Sequence, residues 1–378
     1  MKSKRIGILG GGQLGRMLIQ KGMDWNIPFS VLDPDANAPC RDFDGFSVGK
    51  LTDHDAVIKF GAACDIITIE IENVNTRALK ELELSGKQVF PQPEVIELIQ
   101  DKRTQKKFFQ DNGIPTADFI LTANREDVKQ QVDFLPAVNK LGREGYDGRG
   151  VQILRSEADL PKAFDKPGLL EKLVNIDKEI SVIVARNARG EVRAFPPVEM
   201  VFHPEANLVD YLFSPAGIPA DLADRAIAIA EALIADLKMI GLLAVEMFVT
   251  PEGGILVNEV APRPHNSGHQ TIEGNVTSQY EQHLRAVLNL PLGDTAIIKP
   301  TAMVNLLGQA GHVGEAKYLG MEAALDIPGV YVHLYGKKTT KPFRKMGHVT
   351  IVDPDVESLR KKATFVKNSL KVTAWPND

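Results

Sequence analysis

Cysteine is scarce in this 378-residue sequence: only Cys40 and Cys64 occur. They form no C-x-x-C pair, and a chain of this length buries a core without covalent staples. A disulfide scaffold and a cysteine zinc site are therefore excluded, and a reducing cytoplasm is the expected compartment. Long apolar runs are missing as well. None approaches the roughly 18 apolar residues of a membrane helix, and Ile6-Gly7-Ile8-Leu9 is too short for a secretory leader and stops at glycines. Positive charge is not in excess either. Lys and Arg number 44 against 49 Asp and Glu, a net charge of −5, which excludes bulk attraction to nucleic acid or an anionic membrane. Any anion must be held by a local basic site. The 31 glycines and 23 prolines follow no period, so collagen-like and linker architectures are out. What remains is a globular balance, 44% hydrophobic and 25% charged, in a chain long enough for two or three domains.

The order of elements predicts an α/β protein. Ile6–Leu9, Phe29–Leu32, Asp65–Glu70 and Val89-Phe90 read as strands alternating with helical stretches, which implies a parallel, Rossmann-like sheet over residues 1–97. Residues 94–111 read as helical. Strands follow at 136–141, 151–154, 169–174 and 179–184, then a helix over 221–239 with Leu222, Ala226, Ile229, Leu233 and Leu237 as its core stripe. Strands 243–250 and 255–260 are joined by Pro251-Glu252-Gly253-Gly254. After about residue 298 the chain becomes strand-rich and ends in an amphipathic helix near 355–369. The expected domains are 1–97, 98–297 and 298–378.

Several motifs carry chemistry. Gly10-Gly11-Gly12-Gln13-Leu14-Gly15 fits G-x-G-x-x-G between strand and helix, with Asp33 closing the next strand. Taken alone this is a dinucleotide fingerprint, and it leaves open an NAD-dependent oxidoreductase, another anion, or a purely structural turn. Glu72 and Asn73 stand at a strand's C-terminal end, where open α/β sheets bind ligands. Alternation points Glu70 and Glu72 to one side. The nine residues 142–150 contain four glycines and follow Lys140, so their amides can close over a polyphosphate, although no P-loop GK[ST] is present. Glu246 and Asn258-Glu259 lie on adjacent antiparallel strands, where opposed carboxylates on a buried ladder call for a cation. Hard oxygen donors in small number suit Mg²⁺ bridging nucleotide phosphates. Directly after, Pro262 and Pro264 stiffen a segment that presents Arg263, His265 and Asn266 to a small anion. His203, His283, His312 and His348 read as structural by default, with His203 bordering the nucleotide as the exception.

The ordered set Lys140, the glycine loop, Glu171-Lys172-Leu173-Val174, Glu179, Glu246 and Asn258-Glu259 resembles the ATP-grasp superfamily. Within it, GGGQLGRM at 10–17, GYDGRG at 145–150 and APRPHNSGH at 261–269 resemble the 5-(carboxyamino)imidazole ribonucleotide synthases of purine biosynthesis, over essentially the whole chain. The resemblance implies a Rossmann-like N-terminal domain that serves the carboxylation substrate rather than NAD, a central ATP-grasp fold and a small strand-rich C-terminal domain. It implies ATP contacts at Arg103, Lys140, Gly145, Tyr146, Asp147, Gly148, Arg149, Gly150, Val151, the backbone of Glu171 to Val174, Glu179, His203, Asn258 and Glu259. Mg²⁺ would be held by Glu246 and Glu259. Arg263, His265 and Asn266 would hold bicarbonate, with Asp147 and His265 as candidates for the amine proton. Aminoimidazole ribonucleotide would meet Gln13, Leu14, Glu72, Asn73, Tyr146, Asp147, Arg149, Lys337 and Arg344, the last two at its phosphate. A homodimer, with no nucleic-acid or membrane partner, is implied on the same ground.

Overall fold

The computed structural model describes residues 4–143, 145, 150–203 and 208–376. β1 (Ile6–Leu9), β2 (Phe29–Asp33), β3 (Phe46–Val48), β4 (Ile66–Ile69) and β5 (Gln88–Val89) form a five-stranded parallel sheet in the order β3-β2-β1-β4-β5. Its central strands are buried throughout because helices cover both faces. The first helix, Gln13–Met23, starts at once after the glycine turn. Gly10 adopts φ +110°, and a Cβ at Gly15 would lie 2.8 Å from the Gly10 carbonyl, so both positions need glycine.

The helical stretch expected over 94–111 is two helices, Pro93–Ile99 and Lys102–Asp111. Asp101 breaks it. Its carboxylate accepts from the Arg103 amide as an N-cap and restarts the chain at an angle. β6 (Phe119–Thr122), β7 (Ala137–Leu141), β8 (Val151–Leu154) and β9 (Gly168–Lys172) make a four-stranded antiparallel sheet, ordered β6-β9-β7-β8.

The largest sheet has nine strands. It combines β10 (Lys178–Arg186), β11 (Val192–Ala194), β12 (Val198–Phe202), β13 (Val209–Ser214), β14 (Gly241–Val249) and β15 (Ile255–Ala261) with β16 (Thr301–Leu307), β18 (Val330–Leu334) and β20 (Lys345–Val352). β17 (Gly314–Leu319), β19 (Thr339–Thr340) and β21 (Lys371–Ala374) form a small separate sheet. Because β13 pairs with β16, the strand-rich C-terminal part extends the central sheet instead of standing apart from it. Helix Ala220–Asp236 covers one face of the sheet. Its buried stripe is Leu222, Ala226, Ala230, Leu233 and Ile234; Ile229, one step off that line, is only partly covered. Helix Val356–Ser369 packs on the C-terminal strands.

His283 and His348 are fully buried, as their default structural reading requires. His348 is the middle of a stack of three imidazoles, 4.5 Å from His269 and 4.4 Å from His333. Burial pushes His283 down to about 4. No helix among the described residues is long and apolar enough to cross a membrane.

Candidate functional site

Glu246 on β14 lies directly opposite Glu259 on β15. Ser181 on β10 is in register with Glu246, and Glu179 two residues earlier shares its face. The alternate residues Ile180, Val182, Val245, Met247 and Val257 pack under helix Ala220–Asp236. Period-two alternation therefore sends Glu179 and Glu246 to the other face, towards the four-stranded sheet, and a bulge at Asn258 turns Glu259 to the same side. Burial pushes Glu179 up to about 7. Glu246 is raised too, first by burial and then by the charges of Glu259 and Glu179. Glu259 is held low chiefly by Lys102, whose ammonium is paired to it. Burial opposes the charge on Lys102, but Glu259 outweighs it.

From the facing sheet, Lys140 on β7 reaches Asn258 Oδ1 at 2.8 Å and Glu171 Oε2 at 2.7 Å. Lys106 approaches the other Glu171 oxygen at 3.0 Å, so one buried carboxylate serves two lysines. Lys172 turns away, donating to the carbonyls of Phe134 and Leu135. Leu173 and Val174 lie just past β9, with the Leu173 amide on the Pro136 carbonyl. Arg103 does not enter this cluster: its guanidinium is locked on Asp101 beside Gly142. Gly145 and Gly150 close the base of the glycine loop, since a Cβ on Gly150 would lie 3.1 Å from the Gly145 Cα. Val151 then opens β8. Tyr146, Asp147, Gly148 and Arg149 lie outside the described residues. His203 follows β12 with its ring 5.5 Å from Phe343, next to Arg344.

The Pro262–Pro264 segment leaves β15 beside the carboxylates. Arg263 Nε is 2.9 Å from Glu72 Oε1, which ties this segment to the N-terminal domain. His265 Nε2 is 3.6 Å from Glu246 Oε1. The Asn266 amide exchanges two hydrogen bonds with Asn305 on β16, at 2.9 and 3.0 Å, which fixes its orientation and leaves one Nδ2 N–H for another acceptor.

On the N-terminal side, Gln13 and Leu14 begin the first helix. The Leu14 amide donates to Glu70 Oε1 at 3.2 Å. Burial pushes Glu70 up to about 7. Glu72 turns to Arg263, and Asn73 is exposed in the turn after β4. The dinucleotide reading loses its physical basis here. Glu70 occupies the helix N-terminus where a pyrophosphate would sit, and Asp33 is consumed by the amides of Gly11 and Asp35 at 2.6 and 2.7 Å. Gly336 packs against Arg16 and accepts from Arg41 at 2.8 Å, which brings Lys337 to this glycine turn, where its charge acts on Glu70. The Lys337 ammonium donates to the Lys345 carbonyl at 2.7 Å. Arg344 lies one turn away, donating to the Thr339 carbonyl and hydroxyl at 2.7 and 3.0 Å.

Sequence reasoning passed over Lys102 and Lys106, and placed Glu70 beside Glu72 without giving it a role. One signal for the lysines was present: they sit at i and i+4 on one helix face, an unfavourable pair unless carboxylates meet it. For Glu70 alternation gave the side, but nothing ranked it above Glu72 and Asn73, which matched the strand-end rule equally well. As a metal site, Glu246 and Glu259 offer hard oxygen donors, which fit Mg²⁺. Two carboxylates supply only part of its shell, leaving positions for phosphate oxygens and water.

Two antiparallel sheets gripping a cleft lined by lysines and glutamates define an ATP-grasp protein, and the model of the ATP-grasp domain matches residues 107–280. Residues 3–100 match the ribonucleotide synthetase preATP-grasp domain and 301–362 the phosphoribosylaminoimidazole carboxylase C-terminal domain. The chain is 39% identical over 356 residues to the N5-carboxyaminoimidazole ribonucleotide synthase of Bacillus subtilis, covering 92% of this chain and 91% of that protein. The crystal structure of N5-carboxyaminoimidazole ribonucleotide synthetase from Thermotoga maritima superposes with a TM-score of 0.91 at 41% identity, over 98% of this chain and all of that one. The Aspergillus clavatus N5-carboxyaminoimidazole synthase, in complex with ADP and 5-aminoimidazole ribonucleotide, gives 0.88 at 33%, over 97% and 99%. The chain belongs to the N5-carboxyaminoimidazole ribonucleotide synthase family.

Proposed function

We propose that this protein is an ATP-dependent ligase that carboxylates the exocyclic amine of 5-aminoimidazole ribonucleotide with bicarbonate, releasing ADP and phosphate, in purine biosynthesis. The observation that carries the reading is one continuous chain of contacts. It runs from Lys140 through the Glu246/Glu259 pair and the Arg263–His265 segment to the glycine turn and Lys337.

On this reading a bicarbonate oxygen attacks the γ-phosphorus of ATP, ADP leaves, and carboxyphosphate remains. The amine nitrogen then attacks the carboxyl carbon, phosphate departs, and the amine loses a proton. Lys140 and Lys102 hold phosphate oxygens, Lys102 taking the part expected of Arg103. The backbone of Glu171 to Val174 meets adenine, Glu179 the ribose, and residues 145–151 with His203 border the nucleotide. Glu246 and Glu259, with Asn258 beside them, would hold Mg²⁺, which would supply positive charge at the transferred phosphoryl group. Arg263, His265 and Asn266 hold bicarbonate in line, Asn266 being braced by Asn305. Glu70 joins Gln13, Leu14, Glu72 and Asn73 around the ribonucleotide, with Tyr146 and Arg149 from the loop and Lys337 and Arg344 at the phosphate. Asp147 is the candidate acceptor for the amine proton. Catalysis is mainly positioning and electrostatics in a site closed to water, because carboxyphosphate hydrolyses readily. Domain boundaries near 97/98 and 297/298, a homodimer and a cytoplasmic setting belong to the same reading.

The test is phosphate release from ATP with bicarbonate, with and without 5-aminoimidazole ribonucleotide. Acceleration by the ribonucleotide with matched formation of its carbamate is expected. Indifference to the ribonucleotide overturns the assignment.

A further inference from the structure

His265 is held more tightly than an anion-binding side chain on a loop requires. Its backbone is clamped at both ends by one side chain: the amide donates to Gln279 Oε1 at 2.8 Å, and Gln279 Nε2 donates to the carbonyl at 2.7 Å. Its ring is held separately. Nδ1 lies 2.9 Å from Ser267 Oγ and accepts from the Ser267 backbone amide at 3.4 Å. A backbone N–H can only donate, so Nδ1 presents its lone pair, and the neutral ring carries its proton on Nε2. That nitrogen faces Glu246 at 3.6 Å.

The serine hydroxyl continues the chain. With Nδ1 as acceptor, the Ser267 hydroxyl donates to it and is left with oxygen lone pairs. Ser181 Oγ stands 2.8 Å away and donates to them. Both serines are buried, at 0% and 1% exposure, so water does not compete for these contacts. Ser181 comes from β10, in register with Glu246 on β14. The sheet that carries the carboxylates thus also fixes the ring that faces them.

We propose that Ser267 and Ser181 are positioning residues: their hydroxyl chain holds His265 as an Nε2–H donor aimed at the reacting bicarbonate. The inference rests on the reading of His265 as a bicarbonate-holding group. It also narrows the chemistry. A ring that presents N–H to the anion stabilises charge there and is not free to take the amine proton at that atom, which leaves Asp147 as the acceptor.

The experiment uses the full-length protein with ¹⁵N-labelled histidine rings, together with steady-state kinetics. In the wild type, at a pH where the ring is neutral, the His265 signals should report an unprotonated Nδ1 and a protonated Nε2. Ser267→Ala should mix the tautomers and raise KM for bicarbonate roughly fivefold to tenfold, the worth of about one hydrogen bond. KM for ATP should stay within about twofold. Ser181→Ala should act in the same direction with a smaller effect, and serves if Ser267→Ala does not fold. Ser267→Cys, with a weak S–H donor of similar size, should fall between wild type and alanine. A wild-type ring protonated on Nδ1 overturns the proposal, as does a bicarbonate KM unmoved in both alanine variants. Wild-type turnover that ignores bicarbonate sinks the functional reading instead, whatever the tautomer.

Discussion

Replacing Glu171 with glutamine isolates the charge balance at the centre of the site. The carboxylate is 4% exposed and meets Lys140 at 2.7 Å and Lys106 at 3.0 Å. Burial acts to raise its pKa, but the two lysines outweigh it and hold the group below the usual carboxylate range. Burial pushes Lys106 down to about 8 even with Glu171 beside it. Glutamine keeps the volume and removes the charge, leaving two ammonium groups with no carboxylate between them. Removing one partner of a buried ion pair costs about 3–5 kcal/mol. The lower end applies here, because Lys140 keeps Asn258 and Lys106 keeps Thr116 and the Val257 carbonyl. In a chain this long, about 3 kcal/mol lowers an apparent Tm by roughly 5 °C.

Two further consequences separate this cause from loss of packing. Without Glu171 the folded pKa of Lys106 drops below about 8, while the unfolded value stays ordinary. The unfolded chain then binds more protons across that window, so stability rises with pH there and the deficit near pH 7 narrows by about pH 9. On the proposed reading nucleotide phosphate meets Lys140 and would restore negative charge, so ADP should raise the variant's Tm by more than it raises the wild type's. Differential scanning fluorimetry with and without ADP measures both effects. An unchanged Tm, or an equal ADP shift in the two proteins, refutes the reasoning.

If Glu259 holds the metal as proposed, Glu259→Gln should abolish turnover, by about 100-fold or more in ATP-dependent phosphate release; wild-type rates at saturating Mg²⁺ remove the metal assignment. Arg344→Ala should raise KM for 5-aminoimidazole ribonucleotide roughly tenfold while KM for ATP moves little, one charge-assisted hydrogen bond being worth about 1.5–3 kcal/mol; a change in the ATP constant instead places the ribonucleotide phosphate elsewhere. Glu70 holds its proton up to about 7 when folded, against 4.5 when unfolded, so it makes stability fall as pH rises through that interval. Glu70→Gln should therefore gain stability relative to wild type between about pH 5 and pH 8, and a Tm difference independent of pH contradicts this.

By itself the sequence determined the periods and the order of the chemistry. Four strands alternating with helices required a parallel N-terminal sheet, and the turn 251–254 between two apolar strands required Glu246 to meet the Asn258-Glu259 pair. These are local consequences of alternation and short connections. Asp101 shows where local reasoning stopped: a helical pattern over 94–111 does not say that one carboxylate caps a second helix and thereby swings Lys102 to Glu259 and Arg103 away. Nor could the chain's order reveal that Asn266 would be braced by Asn305, 39 residues on, or that Glu70 would fill the helix terminus its own motif advertises. Residue type and spacing set which charges are available, whereas partners distant in sequence set which charges remain free. Only the tertiary structure decided that, because desolvation and pairing depend on neighbours brought together by folding.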